Sequence, residues 1–277
     1  MEGVFRLIPH LFPVLDTVSP VHAALDRMIR QYFDSGEPEM PDLEPFRGLV
    51  WPFVRMGNIT SYDLFSLDEL ILFRFYAANR RLYRRVFDIG ANLGLHSILL
   101  SRCGYEVHAF EPNRQHYDLL LKNLAANGCE RVHARPEAVS DRDGTAELVQ
   151  PKGNTTASHI RGARDFHGDV EIAHVRTVTL QGLDVRPDLM KIDVEGHEES
   201  VIRSLNLEDW RRVDAWVEIH NDRARSGVFD YFRGSGIRLF AQKIGWREAR
   251  RLEELPSGYR EGHVFVSARS GVPWGND

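Results

Sequence analysis

From Tyr83 onward, short apolar runs alternate with longer amphipathic ones, and this alternation restricts the fold more than any other feature of the chain. "RVFDIG" reads as a strand and "LGLHSILLSRCG" as a helix ending at Gly104. "EVHAFEP" is the next strand, and "RQHYDLLLKNLAANG" the next helix, ending at Gly128. "RVHARPEAVSD" is a third strand with an extension, "RDGTAELV" a turn and hairpin, "NTTASHIRGARDFHGD" a polar loop and "VEIAHVRTVTL" another strand. "PDLMKIDVEGHEESVIRSL" gives a strand, a tight turn and a helix, "VDAWVEIH" a strand, and "RSGVFDYFRGSG" a short helix. "IRLFAQKIGW" and "GHVFVSA" are late strands able to pair antiparallel. Repeated βα units imply a mainly parallel sheet with helices on both faces.

The first 80 residues follow another pattern and read as a cap on the main domain. Ser19 is placed to N-cap a helix with Pro20 at its first position, and Val21, Leu25, Met28, Ile29 and Tyr32 share one face of it. "DSGEPEMPDLEPFRG" reads as a loop, and "GLVWPFVRMGNITSYDLF" as short strands around a Gly-Asn turn. "SLDELILFRFYAANRR" opens with Ser66 and Glu69 at capping-box spacing and reads as a helix.

At 277 residues and 43% hydrophobic, the chain can bury a large single-domain core. A net charge of −5 argues against a surface built to coat nucleic acid. Cys103 and Cys129 give neither a disulfide framework nor metal-ligand spacing and read as reduced thiols in a cytosolic protein. No apolar run approaches the roughly 18 residues of a membrane span. The opening "MEGVFRLIPHLFPVLD" lacks the basic start of a signal peptide, so a cytoplasmic location is expected.

In open α/β sheets, ligands sit beyond the carboxyl ends of the strands. The first strand of the βα series ends at Gly90, where a missing Cβ lets the backbone approach a ligand, and Gly94 can start the helix tightly. The spacing is G-x-x-x-G, not the G-x-G-x-x-G of a pyrophosphate loop, and no Lys-Ser or Lys-Thr follows. The turn therefore suits a nucleoside-like ligand without a phosphate chain. Glu111, closing the second strand, is placed to accept hydrogen bonds from both hydroxyls of a ribose. Asp88 stands within an apolar strand, where it can order the turn or face an ammonium group. S-adenosylmethionine, an adenosine with a zwitterionic tail, fits these groups.

"VFDIGANLGLHSILLS", "VHAFEPN", "EAVSDRDGTAEL" and "LMKIDVEGHEESVI" together resemble the FkbM family of S-adenosylmethionine-dependent methyltransferases, over roughly Arg85 to Leu205. The resemblance implies an α/β fold: a seven-stranded, mainly parallel class I methyltransferase (Rossmann-like) sheet with helices on both faces; with the pattern of the first 80 residues, the expected division is 1–80 as an N-terminal cap and 81–277 as the methyltransferase domain. It also implies methyl transfer, usually to oxygen, on sugars or other natural-product scaffolds. By motif position, Asp88, Gly90, Asn92 and Gly94 would lie along the methionine part of the cofactor, Glu111 would hold the ribose, and Glu137 and Ala138 would border the adenine. His96 stands where many relatives carry an aromatic residue.

A sugar hydroxyl must lose its proton during or after attack on the methyl group, and a positioned base adds roughly 10²–10⁴-fold. "KIDVEGHE" supplies Asp193, Glu195, His197 and Glu198, and "WVEIHN" supplies Glu218 and His220. The two strands are expected to be neighbours, with Asp193 beside His220. Asp193, His197, Glu218 and His220 are the candidate catalytic residues, Asp193 also bordering the cofactor, and His197 or His220 is the preferred base because imidazole titrates near neutral pH. Each has a structural reading as well: Asp193 as a helix cap, His197 as a first-turn residue, His220 as a strand end, and Glu198 and Glu199 as solvent-facing. A divalent metal held by Asp193, Glu218 and His220 is the competing mechanism, but the spacing defines no coordination shell and no metal ligand is assigned. Lys191 and Glu218, each two residues before Asp193 and His220, are expected to form a partly buried ion pair beneath the site.

A nucleic-acid methyltransferase acting on exocyclic amines often carries Asn/Asp-Pro-Pro-aromatic where this chain has Asp193-Val194-Glu195-Gly196, so nucleic acid is not the expected partner. The glycine spacing opposes a nicotinamide-dependent oxidoreductase. A non-catalytic binding protein on the same fold is opposed by the intact cofactor motif. The expected acceptor is a small sugar or glycan-bearing molecule, enclosed by the cap, the Asn154–His159 loop and the end of the "WVEIH" strand.

Overall fold

A computed structural model of the chain describes residues 16–34, 38, 40–42 and 44–274. The start of the chain and part of the Pro- and acid-rich loop expected after Phe33 lie outside the described residues. In chain order the elements begin with α1 (Pro20–Phe33), β1 (Arg55–Met56), β2 (Ile59–Thr60) and α2 (Leu67–Ala78). The βα series follows as β3 (Arg85–Ile89), α3 (Leu95–Arg102), β4 (Glu106–Phe110), α4 (Arg114–Ala126) and β5 (Val132–Arg135). Then come β6 (Glu137–Val139), β7 (Gly144–Pro151), β8 (His159–Ile160) and β9 (Val170–Val178). The chain returns through β10 (Leu189–Ile192), α5 (Glu198–Arg203), α6 (Leu207–Trp210), β11 (Asp214–Glu218) and α7 (Asp222–Phe232) to β12 (Arg238–Ala241), β13 (Arg247–Glu248) and β14 (His263–Ser267).

The main sheet has eight strands in the order β13-β12-β14-β11-β10-β3-β4-β5. From β11 to β5 all pairs are parallel, while β14 runs antiparallel to both β11 and β12. Without the two-residue β13, this is the class I methyltransferase sheet of seven strands, with the last strand inserted between β11 and β12. Alternate residues along a strand serve opposite faces. Val86, Leu189, Trp216 and Phe265 therefore pack with α2 and α3 in one apolar cluster, while Phe87, Met190, Ala215 and Val264 pack with α5 and α7 in the other. Burial of each large side chain in these clusters contributes about 1.5–3 kcal/mol.

Two expectations change. The third strand does not continue into its extension: Pro136 follows β5, and its missing N–H cannot extend a ladder. The chain beyond it, β6, leaves the main sheet and pairs with β9 in a separate four-stranded sheet, β6-β9-β7-β8. "VEIAHVRTVTL" is likewise a strand of this second sheet and not of the main one.

Both helix N-caps expected within the first 80 residues form, with one difference at the second. Ser19 accepts from the Val21 N–H and caps α1, and Ser66 accepts from the Glu69 N–H and caps α2. The Glu69 carboxylate, however, turns to His96 Nε2 at 2.8 Å. α2 shares the apolar cluster on its side of the sheet, with Phe75 edge-on to Trp216 at 4.9 Å.

Candidate active site

A cavity of about 520 Å³ opens at the carboxyl ends of the parallel strands. Its walls come from the three segments named above: cap residues including Arg30, Asp63 and Glu69, the stretch 154–160, and Glu218 and His220 at and beyond the end of β11. The 154–160 stretch is fastened on the β4 side, where Asn113 Nδ2 donates to Ser158 Oγ at 3.1 Å. It meets the cap where the Asn58 N–H donates to the Gly153 carbonyl at 2.8 Å.

Gly90, Asn92, Glu111, Glu137 and Ala138 line this cavity, as do Asp193, His197, Glu218 and His220. Asp88 and Gly94 do not. Asp88 lies fully buried beneath the turn, accepting from Ser97 Oγ at 2.6 Å. Gly94, at φ +91°, packs so closely on α4 that a Cβ would meet Leu120 Cδ1 at 2.3 Å. Gly90 also serves packing first: at φ +81°, an added Cβ would fall 1.8 Å from the Asp193 carbonyl oxygen. The two glycines thus draw β3, α4 and the turn after β10 together, and this fixes the cavity floor.

Glu111 presents a carboxylate at the end of β4. The Asn92 N–H donates to Oε2 and the Asn113 N–H to Oε1, both at 2.8 Å. A carboxylate has about four acceptor positions, so each oxygen keeps one for another donor. Burial pushes the Glu111 pKa up to about 7 against the lowering effect of those two backbone N–H groups. Glu137 is held by Arg135 at 2.7 Å and Arg176 at 3.1 Å.

Lys191 does not pair with Glu218. In the β10–β11 register it stands opposite Trp216, and on its other side opposite Asp88. Its ammonium donates to Asp193 Oδ2 at 3.0 Å and to the Gly90 carbonyl at 3.1 Å, and it lies 3.9 Å from Asp88 Oδ1. The expected pairing placed Asp193 level with His220, whereas Ile192 opposite Val217 puts Asp193 level with Glu218. Burial would lower the Lys191 pKa, but Asp193 and Asp88 override it and raise it. Burial would raise that of Asp193, but Lys191 and His220 hold it far below the carboxylate range.

His220 and Asp193 do come together, with Nε2 3.5 Å from Oδ1. Three further carboxylates surround the same ring: Glu198 Oε1 at 2.8 Å from Nδ1, and Glu195 and Glu218 at 3.7 and 3.9 Å from Nε2. Burial alone would lower the His220 pKa, but Glu195, the hydrogen bond to Glu198 and Glu218 hold it well above its ordinary value. Glu198 is not solvent-facing: it is fully buried and also accepts from the Gly196 N–H at 2.9 Å. Burial and the neighbouring Asp193 raise the Glu218 pKa well above the ordinary carboxylate value.

His197 sits apart from this cluster. Its Nε2 is 2.9 Å from Ser140 Oγ, and the Ser140 hydroxyl donates to Asp141 Oδ1 at 3.3 Å. With the Ser140 hydroxyl donating to Asp141, the tautomer assigned to His197 carries its proton on Nε2 and its lone pair on Nδ1. Burial lowers the His197 pKa despite the nearby Glu198 and Asp141. His96, whose role the sequence left open, joins the cap to the domain through Glu69 and through the Tyr76 hydroxyl, 3.0 Å from Nδ1.

The family model for the methyltransferase FkbM domain matches residues 88–242, the segment that carries the turn, Glu111, Asp193 and His220. The chain belongs to the FkbM methyltransferase family. Among curated relatives, this family member is 30% identical over 189 residues to methyltransferase sdnD of Sordaria araneosa, across 55% of this chain and 68% of that protein. Among solved structures it is similar to an rRNA methylase from Streptococcus thermophilus at 12% identity, with a TM-score of 0.40 across 71% of this chain and 92% of that one. It is also similar to a precorrin-6y C5,15-methyltransferase from Geobacter metallireducens at 14% identity, with a TM-score of 0.37 across 72% and 86%. The fold assignment itself stands on the strand order, and the chain is a methyltransferase by family.

Two residues at or beside this site escaped the sequence reading. Glu69 was absorbed by its capping-box spacing, and Glu198 by its place in a first helical turn. The one available signal was a surplus of acids at two neighbouring strand ends, which calls for more cationic partners than Lys191 alone.

Proposed function

We propose that this FkbM methyltransferase transfers the methyl group of S-adenosylmethionine to a hydroxyl oxygen of a sugar or glycosylated small molecule. The observation that carries the reading is Glu111: a carboxylate on the cavity wall, beside a turn with no phosphate-binding residues, with one acceptor position free on each oxygen. Those two positions suit the two hydroxyls of a ribose. In this reading Gly90, Asn92 and Asp193 border the methionine part and Glu137 and Ala138 the adenine, while Asp88 acts from below through Ser97 and Lys191.

When bound, S-adenosylmethionine supplies an electrophilic methyl group on a sulfonium. The chain's own residues then have separable tasks. His220, encircled by carboxylates, is an imidazolium that balances their charge and cannot serve as the base. His197, neutral and held by Ser140, takes the acceptor's proton at Nδ1. The cap and the 154–160 stretch enclose the acceptor, so that attack is aligned and bulk water is kept out. Polar side chains of Asn154, Thr155, Thr156 and Ser158 on this wall suit a hydroxyl-rich ligand.

The test is incubation with S-adenosylmethionine labelled in its methyl group and a panel of nucleotide sugars, glycans, glycosylated metabolites and RNA. Alkali-stable label on a hydroxyl oxygen of a sugar-bearing acceptor is the expected result. Label on RNA alone, retained across a salt series, would overturn the acceptor class.

A further inference from the structure

Among the described residues, three clusters bring at least three oxygen or nitrogen donors within 4.8 Å of one another: Glu106–His108–His133, Asp193–Glu195–His220 and Glu69–Glu218–His263. In the first, Glu106 is occupied by Arg85 at 2.9 Å. In the second, Asp193 is occupied by Lys191, Glu195 by Arg164, and His220 Nδ1 by Glu198. The third differs. Among the described residues no lysine or arginine pairs with it; Glu69 faces His96, and the described cation closest to Glu218 is the His220 ring at 3.9 Å. His263 is only 4% exposed, and its Nδ1 is buried with no hydrogen-bond partner. A buried imidazole ring that stands beside two carboxylates and has a bare nitrogen is the kind of polar group that calls for a ligand.

We propose that Glu69, Glu218 and His263 form a divalent-cation site on the cap side of the cavity. Three rigid elements supply the donors: the first turn of α2, the carboxyl end of β11 and the start of β14. Glu218 and His263 are direct partners in the antiparallel β11–β14 register, so their side chains leave the same face of the sheet. Glu69 reaches them from the helix above. Divalent ions of the zinc or manganese kind hold such donors at about 2.0–2.2 Å, and hence roughly 3–4 Å from one another. Only a small contraction of this cluster is needed. Two carboxylates neutralise the ion's charge, and one imidazole beside them favours manganese, iron or zinc over calcium. Glu69 and Glu218 line the cavity, so the remaining coordination positions open toward the acceptor. The site itself stands on these donors; its task rests on the methyl-transfer reading. There, the ion would bind the acceptor hydroxyl and acidify it, and His197 would take the released proton.

The test uses the full chain, stripped with a chelator and titrated with manganese chloride alone, without S-adenosylmethionine or acceptor. One ion per chain is expected. His263→Ala and Glu69→Gln should each weaken its binding by at least about tenfold, as losses around metal sites do, while Glu195→Gln should leave it unchanged. Because a variant can misfold, the unaltered chain gives a second reading: pulsed electron paramagnetic resonance of its bound manganese should show coupling to one histidine nitrogen. Absence of saturable binding, absence of that coupling, or binding lost in Glu195→Gln but kept in His263→Ala would each overturn the site. Since no turnover is involved, failure of the methyl-transfer reading leaves this result untouched.

Discussion

Replacing Lys191 with Met removes an ammonium that is 5% exposed and flanked by two carboxylates. The consequences differ for the two partners. Asp193 borders the cavity and can be solvated from it. Asp88 is fully buried, and its Oδ1 has no hydrogen-bond partner among the described residues, so Lys191 at 3.9 Å is the charge that balances it. Removing one member of a buried pair costs about 3–5 kcal/mol, because the other charge stays behind uncompensated. Lys191→Met should therefore lose about that much stability at pH 7, and Lys191→Met combined with Asp88→Asn should recover part of it, since Asn can still accept from Ser97. Urea unfolding of the three proteins measures this. The pH dependence follows from Asp193, whose pKa Lys191 and His220 hold down. Its contribution is present above the unfolded value of about 3.9 and is lost as pH falls through the depressed folded value. The gap between wild type and Lys191→Met should thus be full at neutral pH and narrow in acid. A loss under about 1 kcal/mol at pH 7, or a gap that stays constant as pH falls through about 4, would refute the reasoning.

Glu111→Ala removes two charge-assisted hydrogen bonds worth about 1.5–3 kcal/mol each, so calorimetry should show S-adenosylmethionine affinity falling by at least about a hundredfold, and unchanged affinity would remove Glu111 from the ribose. Because burial sets the Glu111 pKa at about 7 and its carboxylate is the accepting form, affinity should rise as pH increases through that value; a flat profile would count against it. With S-adenosylmethionine saturating, His197 as base and its pKa lowered from 6.5, kcat/KM for the acceptor should fall only on the acid side of that value, and His197→Gln should abolish this limb while S-adenosylmethionine still binds. Gly90→Ala meets both the Asp193 carbonyl and left-handed backbone strain of about 1–3 kcal/mol, so its Tm should drop clearly; an unchanged Tm would mean that this close approach does not constrain the turn.

The main sheet was readable because its signals are local. Apolar runs of strand length, glycine stops and βα alternation are all properties of contiguous residues, and they fixed β3, β4, β10 and β11 with the turn after β3. The second sheet was not readable, because membership of a sheet is decided by distant pairing: nothing within "VEIAHVRTVTL" says that its partners are β6 and β7. The site divides the same way. Glu111 and Gly90 follow from their place at strand ends. The Lys191 pairing depended on inter-strand register, and with Asp193 two residues from its assumed level the carboxylates beside Lys191 are Asp193 and Asp88, not Glu218. Glu69 and His263 meet Glu218 only through tertiary folding, the one across the cap and the other across an antiparallel pair.

The position of β14 bears on how the molecule is made. β14 lies between β11 and β12, and among the described residues β12 pairs only with β14 and the two-residue β13. During synthesis, β11 emerges roughly fifty residues before Ser267, and at about 5–20 residues per second its open edge waits about 2–10 s for the strand that covers it. Over that interval Trp216 and Val217 border an unpaired row of N–H and C=O groups, an edge able to pair wrongly with another chain. A chaperone that shields apolar strand edges on ribosome-bound chains would act on this protein in that window, and a codon change that slows translation between β11 and β14 would lengthen it.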